Sequence, residues 1–376
     1  MGKWSRLSLL SLSAGYDRSV PIYHSVARGR SVPLLKTLVS SYCTNNCAYC
    51  AFRRERRTHR ERFEPAELAD IALKLWKRGS IEGVFLSSSV DHDPDGATRT
   101  ELESAEIMRK RGYTGYLHLR IMPSASRDLI RRAAELGDRI GLNVENPDEG
   151  CLAEIRPDID VKIDVWRRLR WCREEADRRA GLVRAGLDTQ FVVGASDETD
   201  KQILEATHKL VAELGLRRVY YSGFRPIRHT PLEDRAPCLK VREFRLYQAS
   251  FLMRDYGFKP GDFQPALDGR GFLRDVDPKF ALAQTRPELF PIDLNSAGLK
   301  ELLLVPGIGP RTARRVLAAR DRVSFKSLSD AQRRLGARIR AMAPYLSVGR
   351  EMQKRLDDFV HPHSFYLQRL VDHPIA

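Results

Sequence analysis

The first 220 or so residues alternate short apolar or β-branched runs with longer stretches of helical periodicity, and that alternation leaves few folds open. Candidate strands are Val32–Ser40, Gly83–Ser87, Tyr116–Ile121, Ile140–Val144, Leu187–Val193 and Arg218–Ser222. Between them, Pro65–Arg78 places Leu68, Ile71, Ala72, Leu75 and Trp76 at helical spacing. Thr98–Arg111, Ser126–Leu136, Val161–Ala180 and Thr199–Leu214 have similar length and periodicity. Six β/α units predict an α/β fold, a partial (β/α)6 TIM-type barrel with any site at the C-terminal ends of its strands. A doubly wound sheet gives the same string, and periodicity alone does not separate the two.

The six cysteines are unevenly placed. Cys43, Cys47 and Cys50 fall within eight residues just after the first candidate strand, while Cys151, Cys172 and Cys238 stand apart. No apolar run approaches the ~18 residues of a membrane span. The Ser-broken Leu stretch after Met1–Arg6 is a poor signal peptide, so the chain is expected in the cytoplasm, where a disulfide framework is not expected. The C-x3-C-x2-C run therefore reads as metal binding. Three thiolates on one loop can hold three irons of a [4Fe–4S] cluster and leave the fourth open, as a catalytic metal requires. A structural zinc with His59 as a distant fourth ligand, or three incidental buried thiols, are the alternatives.

Cys43, Cys47 and Cys50, with aromatic Tyr49 before the last cysteine, resemble the signature of the radical S-adenosylmethionine (radical SAM) superfamily. The resemblance covers about residues 30–260. It implies a [4Fe–4S] cluster held by the three cysteines and S-adenosylmethionine bound at the open iron through its amino and carboxylate groups. An electron from the reduced cluster then cleaves the sulfonium C–S bond, giving methionine and a 5′-deoxyadenosyl radical that abstracts hydrogen from the substrate. The resemblance also implies cofactor contacts. Ser88 and Ser89 stand where the family has Gly-Gly-Glu, with Asp91 or Asp93 as substitutes for its carboxylate. Asn143 and Glu145 resemble the polar contacts to ribose or carboxylate. Gly194 lies in the Gly-rich turn after the fifth candidate strand, near the adenine. Tyr221, in Tyr220–Phe224, belongs to the strand end whose backbone pairs with the adenine edge, and Tyr49 helps to seat that base. Cys151 is a candidate hydrogen-atom donor, though buried structural thiols are the simpler reading of all three lone cysteines.

Past Phe290 the character changes. Residues 291–355 carry fourteen Lys/Arg against five Asp/Glu, nine of the chain's fifteen net positive charges. Within them, Val305–Pro310 (VPGIGP) brackets Ile308 with Gly307 and Gly309, and a helix with Arg311, Thr312, Arg314 and Arg315 follows at once. A tight turn feeding a helix N-terminus is a phosphate cradle. It resembles a helix-hairpin-helix motif with Ile308 as its buried pin, and Leu328–Tyr345 resembles a degenerate second copy around Gly336. Such units also serve purely structural roles. The basic run Arg53–Arg62 after the cysteines reads either as a solvated face or as a guide for a phosphate chain at the barrel mouth. Tyr113, Tyr116, His118 and Arg120 could join it, with His118 equally readable as a core histidine.

The implied organisation is an N-terminal extension (1–30), a radical SAM core (31–260), a linker (261–290), a small all-α helix-hairpin-helix nucleic-acid-binding domain (291–347) and a tail (348–376). The combination looks like a bacterial group of radical SAM proteins assigned to DNA modification or repair. The expectation is an enzyme acting on DNA, on a flipped, damaged or single-stranded base. Its expected partners are an electron donor such as flavodoxin or ferredoxin and a uracil-DNA glycosylase-like protein, with no membrane. An RNA-modifying enzyme, or a nucleic-acid-binding protein with a structural or redox cluster, are the alternatives.

Overall fold

The computed structural model describes residues 22–27, 30–336 and 338–349, together with Arg6, Leu7 and Leu10. Seven strands form one sheet in strict sequence order: β1 (Ile22–Ala27), β2 (Arg30–Leu38), β3 (Gly83–Ser87), β4 (Tyr116–Arg120), β5 (Arg139–Gly141), β6 (Leu187–Val193) and β7 (Arg218–Gly223). β1 pairs antiparallel with β2, and every later pairing is parallel. A doubly wound sheet reverses its strand order at a switch point. Here the order never reverses, so right-handed crossovers put the intervening helices on one face and the sheet curls as a half-barrel.

The two faces differ as that arrangement demands. Leu35, Val84, Leu86, Leu117, Leu119 and Ile140 are fully buried on the helix-covered face. Helix residues such as Leu68, Ile71, Leu102, Ala105, Ile130 and Ala133 complete that core. Lys36, Phe85, Tyr116 and Arg139, which alternate with them, stay partly exposed on the concave face. The helices start on local signals. Pro65 opens Pro65–Lys77, and Asp93 caps Pro94–Lys110 by accepting from the Gly96 N–H at 2.7 Å.

Several boundaries differ from the sequence reading. Residues 22–27, placed in an extension, add a strand to the sheet. β5 ends at Gly141, three residues early. The helix expected over Val161–Ala180 begins as a π-helix, Val161–Arg167, before continuing as α-helix Arg168–Asp177.

The described chain divides into two compact units, one of residues 1–198 with 209–243, the other of residues 199–208 with the chain from 244 onward. In the second, the greater part of helix Lys240–Tyr256 and helices Pro278–Thr285, Leu299–Leu304, Pro310–Arg320 and Leu328–Leu335 dominate. The stretch read as a linker, 261–290, carries the 3-10 helix Pro260–Ala266 and the helix Pro278–Thr285. Its Ala283 and Phe290 join one apolar cluster with Ile292, Leu302, Ile308, Val316, Leu335 and Leu346. Ile292–Asp293 pairs parallel with Leu346–Ser347, closing that cluster at both ends. Residues 350–376, most of the expected tail, lie outside the described residues.

Candidate active site

The cysteines sit on a long loop between β2 and helix Pro65–Lys77. Its neck is closed by a Ser40–Arg62 bridge, by the Ser41 N–H on Glu61 O (2.9 Å) and by the Glu61 N–H on Ser41 Oγ (2.8 Å). Inside it, the Arg60 guanidinium donates to four carbonyls: Ser41 (2.9 Å), Phe52 (2.8 Å), Arg53 (2.7 Å) and Arg56 (3.2 Å). Arg53 reaches Asn46 O, Arg54 reaches Thr44 O, and Arg56 reaches Ala51 O and Arg228 O. Arg62 stacks on Tyr42 at 4.5 Å and pairs with Asp91. The basic run is therefore mainly the internal scaffold of the cysteine loop, with exposed Arg57 pointing to neither role. His59 meets Glu61 at 2.9 Å rather than the cysteines.

Burial pushes the Cys47 thiol up despite nearby Arg156, and pushes Cys50 to about 12 with Cys47 adding to it. Tyr49, whose hydroxyl is raised well above its ordinary value by burial and then by Glu145, packs against Leu152, Ile155, Val192, Ala195 and Phe224. The Ala48 N–H bonds Ile155 O at 2.8 Å and the Asn46 N–H bonds Asp158 Oδ2 at 2.5 Å, tying the loop to the segment after β5.

That segment supplies the polar half of the site. Asn143 Nδ2 donates to Glu145 Oε1 at 3.0 Å, so the two residues predicted to share a side do meet. The cause is not a regular strand: Glu145 has φ +67° and bridges to Phe191 on β6. Glu145 Oε2, Asn143 Oδ1 and Arg156 Nε and Nη1 are buried without a hydrogen-bond partner. Arg156 was not singled out from sequence; it lies in a helix-ending Ile155-Arg156-Pro157 with no motif to mark it. Buried polar groups without partners cost stability unless something fills the space between them.

The other predicted positions sort less uniformly. Ser89 donates its N–H to Ser40 O at 2.9 Å, and Ser88 is partly buried beside it. Asp91 and Asp93, the substitute carboxylates, each already have a structural partner. Asp91 takes Ser40 Oγ (2.8 Å) and Arg62, and Asp93 caps its helix. Gly194, at φ +86°, closes the turn after β6; its N–H donates to Glu198 Oε1 at 2.6 Å. Glu198, missed from sequence, organises that turn through Ser196 Oγ (2.6 Å), Asn146 Nδ2 (3.4 Å) and Arg242 Nη2 (3.2 Å). Tyr221 belongs to the helix-covered face, 1% exposed and stacked on Phe191 at 6.2 Å, so Arg218, Tyr220 and Ser222 are the β7 side chains on the concave face. The Cys151 thiol lies against Ser196 and Asp148, Cys172 is fully buried, and Cys238 joins the apolar cluster that receives Tyr49.

In the second unit, helix Leu299–Leu304 and helix Pro310–Arg320 flank a turn with Gly307 at φ +84° and Ile308 fully buried. Lys279 Nζ donates to Ile308 O at 2.6 Å, and a Cβ on Gly309 would stand 3.2 Å from the Tyr256 hydroxyl. Arg311 and Arg314 are exposed at the start of the second helix, and Thr312 is half-buried. Arg315 is exposed as well, and its Nη2 also donates to Leu335 O at 2.9 Å. A second helix–glycine–helix step follows, Leu328–Leu335, Gly336 at φ +106° and Arg338–Ala341.

The sequence pattern of the radical SAM superfamily matches residues 37–210, the stretch that holds the cysteine loop, Asn143, Glu145 and Gly194. Residues 37–210 form a radical SAM domain. Over 207 residues the chain is 27% identical to the 7,8-didemethyl-8-hydroxy-5-deazariboflavin synthase of Methanosarcina barkeri, covering 52% of this chain and 62% of that protein. Over 229 residues it is 25% identical to the tRNA-2-methylthio-N(6)-dimethylallyladenosine synthase of Bacillus velezensis, covering 58% of this chain and 43% of that one. The chain thus spans less than two thirds of either relative. Among solved structures it is similar to methylornithine synthase (PylB), with TM-score 0.45, 17% identity and 71% and 66% of the two chains covered. It is also similar to the hydrogenase maturase HydG of Carboxydothermus hydrogenoformans, with TM-score 0.46, 17% identity and 58% and 50% covered.

The cofactors of such a domain are a [4Fe–4S] cluster and S-adenosylmethionine, and the residues present fit them. Among the described residues no three His, Cys, Asp or Glu side chains converge as ligands of a single ion. A cubane does not ask for that, because its cysteines bind separate irons. Iron supplies the positive charge that makes thiolates stable where burial alone raises the Cys47 and Cys50 thiols. The unpartnered atoms of Asn143, Glu145 and Arg156 beside them suit a ligand bearing both an amine and a carboxylate. No described helix is long and apolar enough to cross a membrane.

Proposed function

We propose that the chain is a radical SAM enzyme that acts on DNA, modifying or repairing a base presented outside a duplex. The radical chemistry follows from the domain; the DNA substrate rests on the hairpin of the second unit. A buried Ile308 pin, a left-handed Gly307 and two exposed arginines at the head of an eleven-residue helix are what a backbone-phosphate binder needs. The net charge of +15, with nine of it in residues 291–355, favours a polyanion.

A cluster bound at the cysteine loop would supply the electron that opens S-adenosylmethionine. The chain's own residues do the rest. Arg60 holds the loop in shape, Cys43, Cys47 and Cys50 ligate, and Tyr49 presents an aromatic face for the adenine. Asn143, Glu145 and Arg156 orient the polar end of the cofactor, and Gly194 lets the backbone approach after β6. A flavodoxin or ferredoxin is the proposed electron donor and a uracil-DNA glycosylase-like protein a proposed partner.

RNA is the second reading, favoured by the similarity to a protein named as a tRNA-modifying synthase. Fluorescence anisotropy on matched single-stranded DNA and RNA separates them. The DNA reading predicts tighter DNA binding that weakens for Arg311→Ala/Arg314→Ala with a shallower salt dependence. Equal or tighter RNA binding, or no effect of the double substitution, contradicts it.

A further inference from the structure

The concave face of the half-barrel carries a charge arrangement that the cysteine chemistry leaves unexplained. Strand register puts Lys36, Phe85, His118 and Arg139 in one row across β2 to β5. Arg120, Gly141, Asp188 and Arg218 form the neighbouring row across β4 to β7. Asp188 is fully buried and held by His118 Nε2 at 2.9 Å and Arg120 Nη1 at 3.1 Å. Burial alone would raise its carboxyl, but Arg120, His118 and Arg139 keep it below the ordinary range. Gly141 makes this possible, since a Cβ there would fall on the Asp188 carboxylate.

Of the other cations in these two rows, Arg139 and Lys36 have no carboxylate at hydrogen-bonding distance among the described residues, although Arg139 still feels the Asp188 charge. Arg139 bonds Ala185 O at 2.8 Å and approaches the Tyr220 hydroxyl at 3.5 Å, neither of which neutralises it. Lys36 pairs with no carboxylate among the described residues. Its ammonium meets the ring faces of Tyr23 at 5.6 Å and Phe85 at 5.4 Å, and the Arg120 guanidinium stands over the same Phe85 ring at 5.6 Å. Burial, with Arg120 adding, lowers the Lys36 ammonium to about 8. Glu101, behind β4, accepts the Arg120 N–H at 3.0 Å, and burial raises its carboxyl well above the ordinary range. A half-buried lysine held on two aromatic faces beside an arginine that is already committed to Asp188 is a site that can take an anion.

We propose that the concave face binds a phosphate group of the substrate, with Lys36 as its direct contact and the Asp188-anchored Arg120 as a fixed neighbour. The proposal deepens the nucleic-acid reading and rests on the half-barrel being the reaction chamber. A phosphate supplies the countercharge that Lys36 lacks, and the aromatic rings of Tyr116 and Tyr220 on the same face suit the attached nucleoside.

The test is calorimetry on the full-length, anaerobically reconstituted protein with thymidine, thymidine 5′-monophosphate and the dinucleotide TpT. Phosphorylated probes should bind at least about tenfold tighter than thymidine. Lys36→Met, which keeps the stem on both rings, should abolish that advantage and Lys36→Arg should restore part of it. Lys74→Met, on an exposed helix face, is the control. Binding at the C-terminal hairpin is insensitive to Lys36 and subtracts out. Preference for TpT points to the internucleotide diester of a nucleic acid, and preference for the monophosphate to a free nucleotide. Protection of wild-type Lys36 from acetic anhydride by the preferred probe, read by mass spectrometry, needs no variant to fold. An advantage that survives Lys36→Met, or no protection of Lys36, overturns the proposal. Cleavage of S-adenosylmethionine by the wild type without any nucleotide tests the underlying reading separately.

Discussion

Replacing Arg60 by methionine isolates what holds the cysteine loop ready. One planar group donates to carbonyls at the loop's neck (Ser41), two residues past the last cysteine (Phe52) and on the return (Arg53, Arg56), at 2.7–3.2 Å. A hydrogen bond to a charged group contributes about 1.5–3 kcal/mol net. Four from one partly exposed side chain do not add, because water reaches some of the freed carbonyls. The expected loss of loop ordering is about 2–4 kcal/mol, which translates to a cluster held roughly 30- to 1,000-fold less tightly. The assay is anaerobic reconstitution followed by a chelator challenge, with iron and sulfide per chain measured against time. Arg60→Lys, with three donors but no planar fork, should fall between. If Arg60→Met keeps its iron as long as the wild type, the loop is ordered by something else and the reasoning fails.

Three further outcomes follow from the geometry. Gly141→Ala puts a methyl where the Asp188 carboxylate lies and breaks its pairing with Arg120 and His118; urea denaturation should show a loss of about 3–5 kcal/mol, and a loss under 1 would contradict it. Burial pushes His118 down to about 4, below its unfolded value near 6.5. The unfolded chain therefore binds more protons between those values, so stability should be intact above about pH 6.5 and fall toward pH 4, and His118→Gln should flatten that slope in denaturation curves. Lys279 donates from a buried position to Ile308 O, so Lys279→Met should loosen the hairpin and weaken DNA binding without changing iron content. Unchanged anisotropy would separate the hairpin from DNA binding.

Much of the half-barrel was legible because period-2 strands and period-3.6 helices leave different marks on sequence. What periodicity lacks is order, and only the uninterrupted strand sequence excludes a doubly wound sheet. β1 escaped notice because Ile22–Ala27 (IYHSVA) is short and polar at two of six positions. The cysteines announced themselves by spacing, whereas Arg156 and Glu198 act through contacts that no local motif records. The arginine run illustrates the limit of composition. Charge density suggests an outward face, yet Arg53, Arg54, Arg56 and Arg60 turn back onto carbonyls. Arg315 does the same in the second unit. The Lys36 and Asp188 rows bring together residues over 150 positions apart, and only strand register aligns them.

The central claim is that Cys43, Cys47 and Cys50 hold a cluster that cleaves S-adenosylmethionine in the service of chemistry on DNA. Its most direct test is anaerobic: reconstitute wild type and Cys47→Ala with iron and sulfide, reduce them, add S-adenosylmethionine with and without single-stranded DNA, and quantify 5′-deoxyadenosine. The account predicts production by the wild type that rises with DNA and is absent in Cys47→Ala. Production indifferent to DNA would contradict the substrate, and no production by fully reduced, iron-loaded wild type would contradict the enzyme.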